Sequence, residues 1–138
     1  MSAPVTQVAA WMESGFSVSW RLEIDLARGR LAGRRRERTF EGEATGPLDP
    51  GAVPELRRLA DGVTPELQAQ VPGHFFEDPY SHHVEVRRGE EAVLVHSRGG
   101  PIEVEPAQAL FESARRLLDA LLPAPDPDEA SHGAPRAP

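Results

Sequence analysis

The chain contains no cysteine, no lysine and no asparagine, and only 6% of its 138 residues are aromatic. The lack of cysteine excludes disulfides, thiol nucleophiles and cysteine-ligated zinc. No run of apolar residues approaches the ~18 that a membrane helix requires. Residues 1–15 also lack the basic and continuous apolar segments of a secretory signal. We therefore expect a cytoplasmic protein that does not enter a membrane.

All 15 basic residues are arginine, and they are outnumbered by 22 acidic residues, which gives a net charge of -7. Together with abundant alanine, glycine and proline, this usage is typical of a GC-rich genome and predicts a bacterial source. An arginine in such a chain reflects codon supply as well as any need to recognise an anion. The negative net charge argues against nucleic acid as a partner of the molecule as a whole.

The first third of the chain has the hydrophobic pattern of a sheet. Apolar and polar residues alternate strictly over 16–26, which predicts a strand with one buried face. Val5 to Met12 is less regular, but a turn at 13–15 would let it pair antiparallel with that strand. Leu31 to Glu43 predicts a third strand, polar and rich in arginine, at an edge or otherwise exposed.

The middle of the chain predicts helices and then a hairpin. A helix is expected to start either at Asp49 before Pro50 or at Pro54, with Gly62 as its stop, and a short helical piece from Thr64 to Gln70 follows it. The segments 80–86 and 92–97 flank a turn and predict a hairpin in which Val84 lies opposite Val95.

The final helix and the tail complete the expected fold. Apolar residues from Leu110 to Leu121 recur at helical spacing, so this helix should cover the sheet. The predicted class is α+β, in the order β-β-β-α-(short α)-β-β-α, with an antiparallel sheet of about four to five strands and two main helices packed on one face. Residues 1–122 form a single domain in this prediction, and 123–138 form a disordered tail rich in proline and alanine.

Four aromatic residues are interpreted first as core residues. Trp20 falls on the buried face of the predicted strand 16–26, and Trp11 lies in the less regular strand before it. Phe75 and Phe76 follow a Pro-Gly turn, where adjacent aromatic residues commonly fill the edge of a core under a loop.

The densest charge lies between Arg28 and Arg38, where six arginines accompany one acid, Glu37. Such a cluster is either a docking surface for an anionic partner or the charge that protects an exposed edge strand from aggregation. The absence of interleaved aromatic residues argues against nucleic acid. The candidate partner-binding residues of this segment are Arg34, Arg35, Arg36 and Arg38.

A second cluster contains the side-chain types that bind zinc or nickel, namely His74, Glu77, Asp78, His82, His83 and His96. The spacing matches no metal-binding motif, and Pro79 interrupts the helix that a metalloprotease signature needs. In the predicted hairpin, His83 lies opposite His96, so these two are the weak candidates for a shared metal. No resident metal or other cofactor is expected.

Catalytic patterns are missing from the sequence. It contains no phosphate-binding glycine loop and no nucleophile elbow. The acidic pairs Glu77-Asp78 and Glu90-Glu91 lie in a loop and a turn, where carboxylates are solvated and poorly suited to acid-base chemistry. We therefore expect a protein that is not an enzyme and has no catalytic residues.

Four segments resemble emfourin-type inhibitors, small bacterial proteins that block thermolysin-like metalloproteases. They are the turn Ser14-Gly15-Phe16, the helix entry and body from Leu48 to Leu59, the hairpin from Asp78 to Glu91, and the closing helix from Leu110 to Leu121. The resemblance covers about residues 13–122 in outline. The sequence departs from the family in having one glycine at the turn rather than a pair, and in the arginine-rich strand 30–43, which is an insertion.

The resemblance implies a stoichiometric inhibitor that occludes a protease cleft with a rigid loop, formed here by Glu13, Ser14, Gly15 and Phe16. A loop held between two strands loses little entropy on binding, which suits that role. Two classes of function therefore compete. One is a protein-binding or inhibitor module, with a metalloprotease as partner, and the other is an accessory protein that docks an acidic partner or a nucleic acid through its arginine-rich strand.

Overall fold

A computed structural model describes residues 4–14, 18–37, 40–71 and 80–123. The strands are β1 (Val5–Glu13), β2 (Ser19–Asp25), β3 (Arg30–Glu37), β4 (Phe40–Pro47), β5 (Ser81–Arg88) and β6 (Glu91–Arg98). The helices are α1 (Val53–Asp61) and α2 (Ala107–Leu121), and two 3-10 segments span Pro50–Ala52 and Pro65–Gln70. The strands form one antiparallel sheet in the order β4-β3-β2-β1-β5-β6. Neither helix is long and apolar enough to cross a membrane, and the same is true of every helix in the described ranges.

The strongest sequence patterns are confirmed. The alternation in β2 buries Trp20, Leu22 and Ile24 and leaves the residues between them on the other face. The β5–β6 hairpin has the predicted register, and Val84 and Val95, which lie opposite each other, are both fully buried. Strict periodicity identified these elements because one face of each packs against the helices.

Helix α2 lies across the sheet and contacts β1 to β5. Its buried residues are Ala107, Leu110, Ala114 and Leu118. The packing is closest at Gly33 of β3, where an added Cβ atom would lie 2.8 Å from the Cδ1 atom of Leu118. A side chain at position 33 would therefore force the side chain of Leu118 to move, and glycine lets this leucine pack directly on the backbone of β3.

The sheet has six strands rather than the four to five predicted, because the strand expected over 31–43 is two strands, β3 and β4. On its helix-facing side, β4 carries only Phe40 and the small residues Gly42, Ala44 and Gly46, so little apolar alternation marks it as a strand. The arginine-rich β3 is consequently one strand in from the edge, and β4 forms the edge instead.

The opposite edge, β6, is covered by the 3-10 segment Pro65–Gln70. The side-chain amide of Gln68 donates to the backbone oxygen of His96 (3.2 Å) and accepts from its N–H (2.8 Å). This exchange of two hydrogen bonds is the one that a neighbouring strand would make, so it protects the edge. It also shows that the backbone N–H and C=O groups of His96 point away from β5. His83 and His96 are therefore a non-hydrogen-bonded pair, in which the opposing side chains lie closer together.

Several smaller predictions have mixed outcomes. The first helix ends at Asp61 with Gly62 as its C-cap, as expected, and the predicted short helical piece is present as a 3-10 helix. Ile102 is buried in a segment that is neither helix nor strand. The interpretation of Phe75 and Phe76 falls outside the described residues, as does the predicted tail beyond Pro123.

Candidate protein-binding site

Both helices pack on one side of the sheet, so within the described ranges the other side, the open face, is uncovered. Its side chains stand in rows that run across the sheet from β4 to β6. The loop row is Glu41, Arg36, Ser19, Glu13, Ser81 and Arg98. The ridge row is Glu43, Arg34, Arg21, Trp11, His83 and His96. The trough row is Thr45, Ala32, Glu23, Ala9, Glu85 and Leu94, and the far row is Pro47, Arg30, Asp25, Gln7, Arg87 and Ala92.

Four side chains of the ridge row stack against one another across four strands. The guanidinium carbon of Arg21 lies 4.5 Å from the centroid of the Trp11 ring. On the other side of Trp11, the His83 ring lies at 4.8 Å between centroids with only 3° between the planes, and His96 stacks on His83 at 5.8 Å. We call Arg21, Trp11, His83 and His96 the stacked ridge. Both faces of the indole are covered, so Trp11 presents its edge to solvent.

Trp11 is therefore not the core residue that the sequence predicted, since it lies half-buried on the open face. The misassignment has a local cause. Ala9 and Ala10 are both buried although they lie on opposite faces of β1, so burial in this central strand does not alternate as it does in β2.

His83 is the most enclosed imidazole of the stacked ridge. Its Nε2 atom lies 3.0 Å from the hydroxyl of Ser81, and its buried Nδ1 atom has no partner within the described ranges. Burial lowers the pKa of His83 below its usual value of 6.5, and the carboxylate of Glu13 opposes this shift. The neutral ring is therefore favoured in this position.

The predicted proximity of His83 and His96 is confirmed, but their geometry does not suit a shared metal. The lone pair of an imidazole nitrogen lies in the plane of the ring, and in these stacked rings, only 21° from parallel, the two lone pairs do not converge on one point. The described residues contain no group of three or more histidines and carboxylates able to hold a metal. His74, Glu77 and Asp78 lie outside the described residues.

The two sets of candidate partner-binding residues meet at one end of the sheet, the loop end, where β1 and β3 end and β2 and β4 begin. Glu13 lies opposite Ser19, and Ser19 lies opposite Arg36, so the two sets are two strands apart. A depression of about 510 Å³ lies between them, and its lining includes Glu13, Ser19, Arg34, Arg36, Glu41 and Glu43. Ser14 follows β1 at the same end, whereas Gly15, Phe16 and Arg38 lie outside the described residues.

Arg34 and Arg36 are exposed and point to the open face. They are opposite Glu43 and Glu41 of β4, but neither comes within 4.0 Å of a carboxylate in the part of the chain that the structure describes. Their guanidinium groups are therefore available to a partner, in a setting whose overall charge is offset by the neighbouring glutamates.

Arg35, the third candidate of this strand, is on the other face and is only 3% exposed. Its guanidinium donates to the backbone oxygen of Leu122 (2.9 Å) and forms an ion pair with Asp119, both at the C-terminal end of α2. The prediction that Arg35 is part of an exposed docking surface is therefore wrong, because its side chain is buried under α2. Positions 31, 33 and 35 share one face of β3, so the alternation of the strand would have identified Arg35 as an inward residue.

Two further arginines have structural roles of the same kind. Arg88 donates to the carbonyl oxygens of Ala60 (2.7 Å) and Val63 (3.2 Å) and so caps the C-terminal end of α1. Arg57 donates to the carbonyl of Val5 at the start of β1 (2.7 Å). Charge from such residues contributes to the fold rather than to a docking surface.

The open face as a whole is balanced in charge. Its arginines are Arg21, Arg30, Arg34, Arg36, Arg87 and Arg98, and its carboxylates are Glu13, Glu23, Asp25, Glu41, Glu43 and Glu85. Two ion pairs connect neighbouring rows, Arg21 with Glu23 (3.2 Å) and Arg87 with Glu85 (3.1 Å). The balance contrasts with the net charge of -7 for the whole chain.

Comparison of the chain with protein-family models finds no match, and comparison with curated proteins finds none either. The resemblance to emfourin-type inhibitors rests on the residues quoted for it above.

Proposed function

We propose that the chain is a small non-enzymatic module that binds a partner protein with the loop end of its sheet. The observation that carries this proposal is the meeting of Glu13 with Arg34 and Arg36 around one depression, although about twenty residues separate them in sequence. We further propose that the partner is a thermolysin-like metalloprotease, whose cleft the loop between β1 and β2 occludes, in the bacterial cytoplasm.

The strand that carries the loop end is held in place by hydrogen bonds to strands on both sides. β1 is one of the two central strands of the sheet, and it pairs with β2 on one side and β5 on the other up to Glu13. Because both flanks of this strand are hydrogen-bonded, a loop that leaves its end is carried on a rigid base. Such preorganisation reduces the entropy lost on binding, which favours a stoichiometric inhibitor.

The mixed charge of the loop end favours a protein partner over a polyanion. Arg34 and Arg36 stand among Glu13, Glu41 and Glu43, so the field that would attract an acidic protein or a phosphate backbone is largely neutralised. Bases of a single strand need free aromatic faces, and both faces of Trp11 are already covered. These observations weigh against the accessory protein that docks an acidic partner or a nucleic acid.

The test is a titration of a thermolysin-like metalloprotease with the purified protein and two variants. Arg36→Glu changes the loop end, and Arg30→Glu makes the same change on the same strand and face at the opposite end of the sheet. We expect wild-type protein to inhibit at one molecule per protease, Arg36→Glu to weaken inhibition about tenfold, and Arg30→Glu to match wild type.

Two results would contradict the proposal separately. An absence of inhibition by the wild-type protein would exclude the protease as partner. Equal effects of the two substitutions would show that inhibition does not depend on the loop end.

A further inference from the structure

The open face has raised and recessed regions as well as charged side chains. The stacked ridge stands along the ridge row, while the neighbouring trough row contains the small residues Ala9 and Ala32. A depression of about 90 Å³ lies over Ala9, and one of about 580 Å³ lies beside Ala32. A ridge and a trough thus run side by side across the strands.

We propose that two copies of the chain dock face to face through this surface, related by a two-fold axis that runs across the strands between the ridge row and the trough row. This symmetry sets each ridge residue over the trough residue of the same strand in the second copy. The exposed edge of Trp11 faces the depression over Ala9 of the second copy, and Arg34 enters the depression beside Ala32 of the second copy, so a copy docked in this way does not offer Arg34 to a protease. The surface is self-complementary, as a two-fold interface requires.

The same axis also sets polar partners opposite each other. Arg21 faces the oppositely charged Glu23 of the second copy, and the neutral His83 faces Glu85 of the second copy, whose carboxylate accepts a hydrogen bond from an imidazole N–H. Because the axis makes each contact twice, every such pair occurs in two symmetric copies. The equal numbers of arginines and carboxylates on the open face mean that two such faces do not repel each other, whereas the strongly negative remainder of the chain would.

The other two-fold arrangement in the plane of the sheet is unfavourable. An axis along the strands would set ridge on ridge, with Arg21 over Trp11 and Arg34 over His83 of the second copy. The trough rows would then face each other and leave both depressions empty. The axis across the strands is therefore the one that fills the depressions. It brings Arg30 near Arg36 of the second copy, but both lie in the outer rows, where water can still solvate them.

The face is large enough for a stable dimer. With strands about 4.8 Å apart and rows about 6.8 Å apart, four rows on six strands cover roughly 500–800 Å² per copy. Two copies would then bury roughly 1,000–1,600 Å² in total, which meets the size of specific interfaces. Leu94, the exposed large hydrophobic residue of the described chain at 42%, lies in the trough row, where the dimer would cover it.

The dimer can be tested by sedimentation velocity across a concentration series of the full chain. We expect wild-type protein to change from monomer to dimer with increasing concentration. Arg21→Glu sets like charges opposite each other and should weaken the dimer at least tenfold. The double variant Arg21→Glu/Glu23→Arg exchanges the charges within each copy and between copies, so it should restore the wild-type dissociation constant to within about threefold.

Two control variants separate docking from folding. Arg58→Glu disrupts the exposed ion pair with Glu55 on α1, away from the open face, and should leave the dimer unchanged. Leu94→Glu places a charge in the trough row at an exposed position that the fold tolerates, and it should weaken the dimer even if Arg21→Glu fails to fold. Ala92→Glu, on the same strand in the far row, places its carboxylate opposite Arg98 of the second copy and should not weaken the dimer.

A wild-type chain that stays monomeric up to about 500 µM would overturn the proposal. A dimer that withstands both Arg21→Glu and Leu94→Glu would also overturn it, because the copies would then meet through another surface. A double variant that remains as weak as Arg21→Glu alone would show that Arg21 and Glu23 do not face each other across the two-fold axis.

Discussion

The two faces of this sheet use the same residue types for different purposes. On the helix side, the buried Arg35 donates to the end of α2, and Trp20 packs in the core. On the open face, Arg21 covers an indole that stands edge-on, and Arg34 keeps its guanidinium free of carboxylates within the described ranges. Side chains alternate between the two faces along a strand. The face to which a residue points, rather than its chemical type, therefore decides whether it stabilises the fold or is presented to a partner.

The largest contrast between the faces should appear when one leucine is shortened on each. Leu118 of α2 is fully buried against the sheet, so Leu118→Ala should lower the free energy of unfolding by about 2–5 kcal/mol. Leu94→Ala on the open face should change it by less than about 0.5 kcal/mol. Urea unfolding of both variants measures the difference, and a loss below about 1 kcal/mol for Leu118→Ala would show that α2 does not cover the sheet as described.

The next contrast compares two adjacent arginines of β3. Arg35→Met removes the hydrogen bond to the carbonyl of Leu122 and the ion pair with Asp119, so it should cost about 1–3 kcal/mol of stability. Arg34→Met changes an exposed residue that has no such partners among the described residues, and it should stay within about 0.5 kcal/mol of wild type. Thermal and urea unfolding would measure both, and equal values would remove the distinction between an inward and an outward arginine.

The sequence predicted those parts of the fold in which one face of an element is strongly apolar. The alternation in β2, the β5–β6 register and the stripe of α2 all have this character, and all are confirmed. The division between β3 and β4 was missed because the helix-facing side of β4 is built largely from glycine and alanine, which pack without giving a hydrophobic signal.

The candidate site was less predictable because it depends on pairings between distant strands. The stacked ridge requires β1 to lie between β2 and β5, and no local pattern places residues near position 83 beside those near position 11. The sequence did identify Arg34 and Arg36. They remain candidate partner-binding residues because they point to the open face of β3, whereas Arg35 points to the helix side. The loop residues Glu13 and Ser14 were selected from a family resemblance, and the register places Glu13 near the arginines.

Titration of His83 offers a contrast that depends on pH. Burial lowers its pKa, and His96, His82 and Arg21 act in the same direction, whereas Glu13 raises it. The folded chain binds this proton less readily than the unfolded chain. The contribution of neutral His83 to the free energy of unfolding is therefore fully present above pH 6.5 and is lost as the pH falls through the folded pKa. We expect unfolding free energy measured between pH 7.5 and about 4.5 to fall less for His83→Gln than for wild type. Identical pH profiles would contradict the burial of this imidazole on the open face.

The smallest expected effect belongs to the cation-π contact between Arg21 and Trp11. A double-mutant cycle with Arg21→Gln and Trp11→Leu should give a coupling energy of about 0.5–1 kcal/mol. Arg21 also pairs with Glu23, but that interaction is partly exposed and should weaken as salt screens it, whereas the contact with the indole should persist. Cycles measured by urea unfolding at low salt and at about 1 M salt separate the two. A coupling that vanished at high salt would mean that the guanidinium is held over Trp11 only through its carboxylate partner, and the ridge of the open face would then depend on charge rather than on stacking.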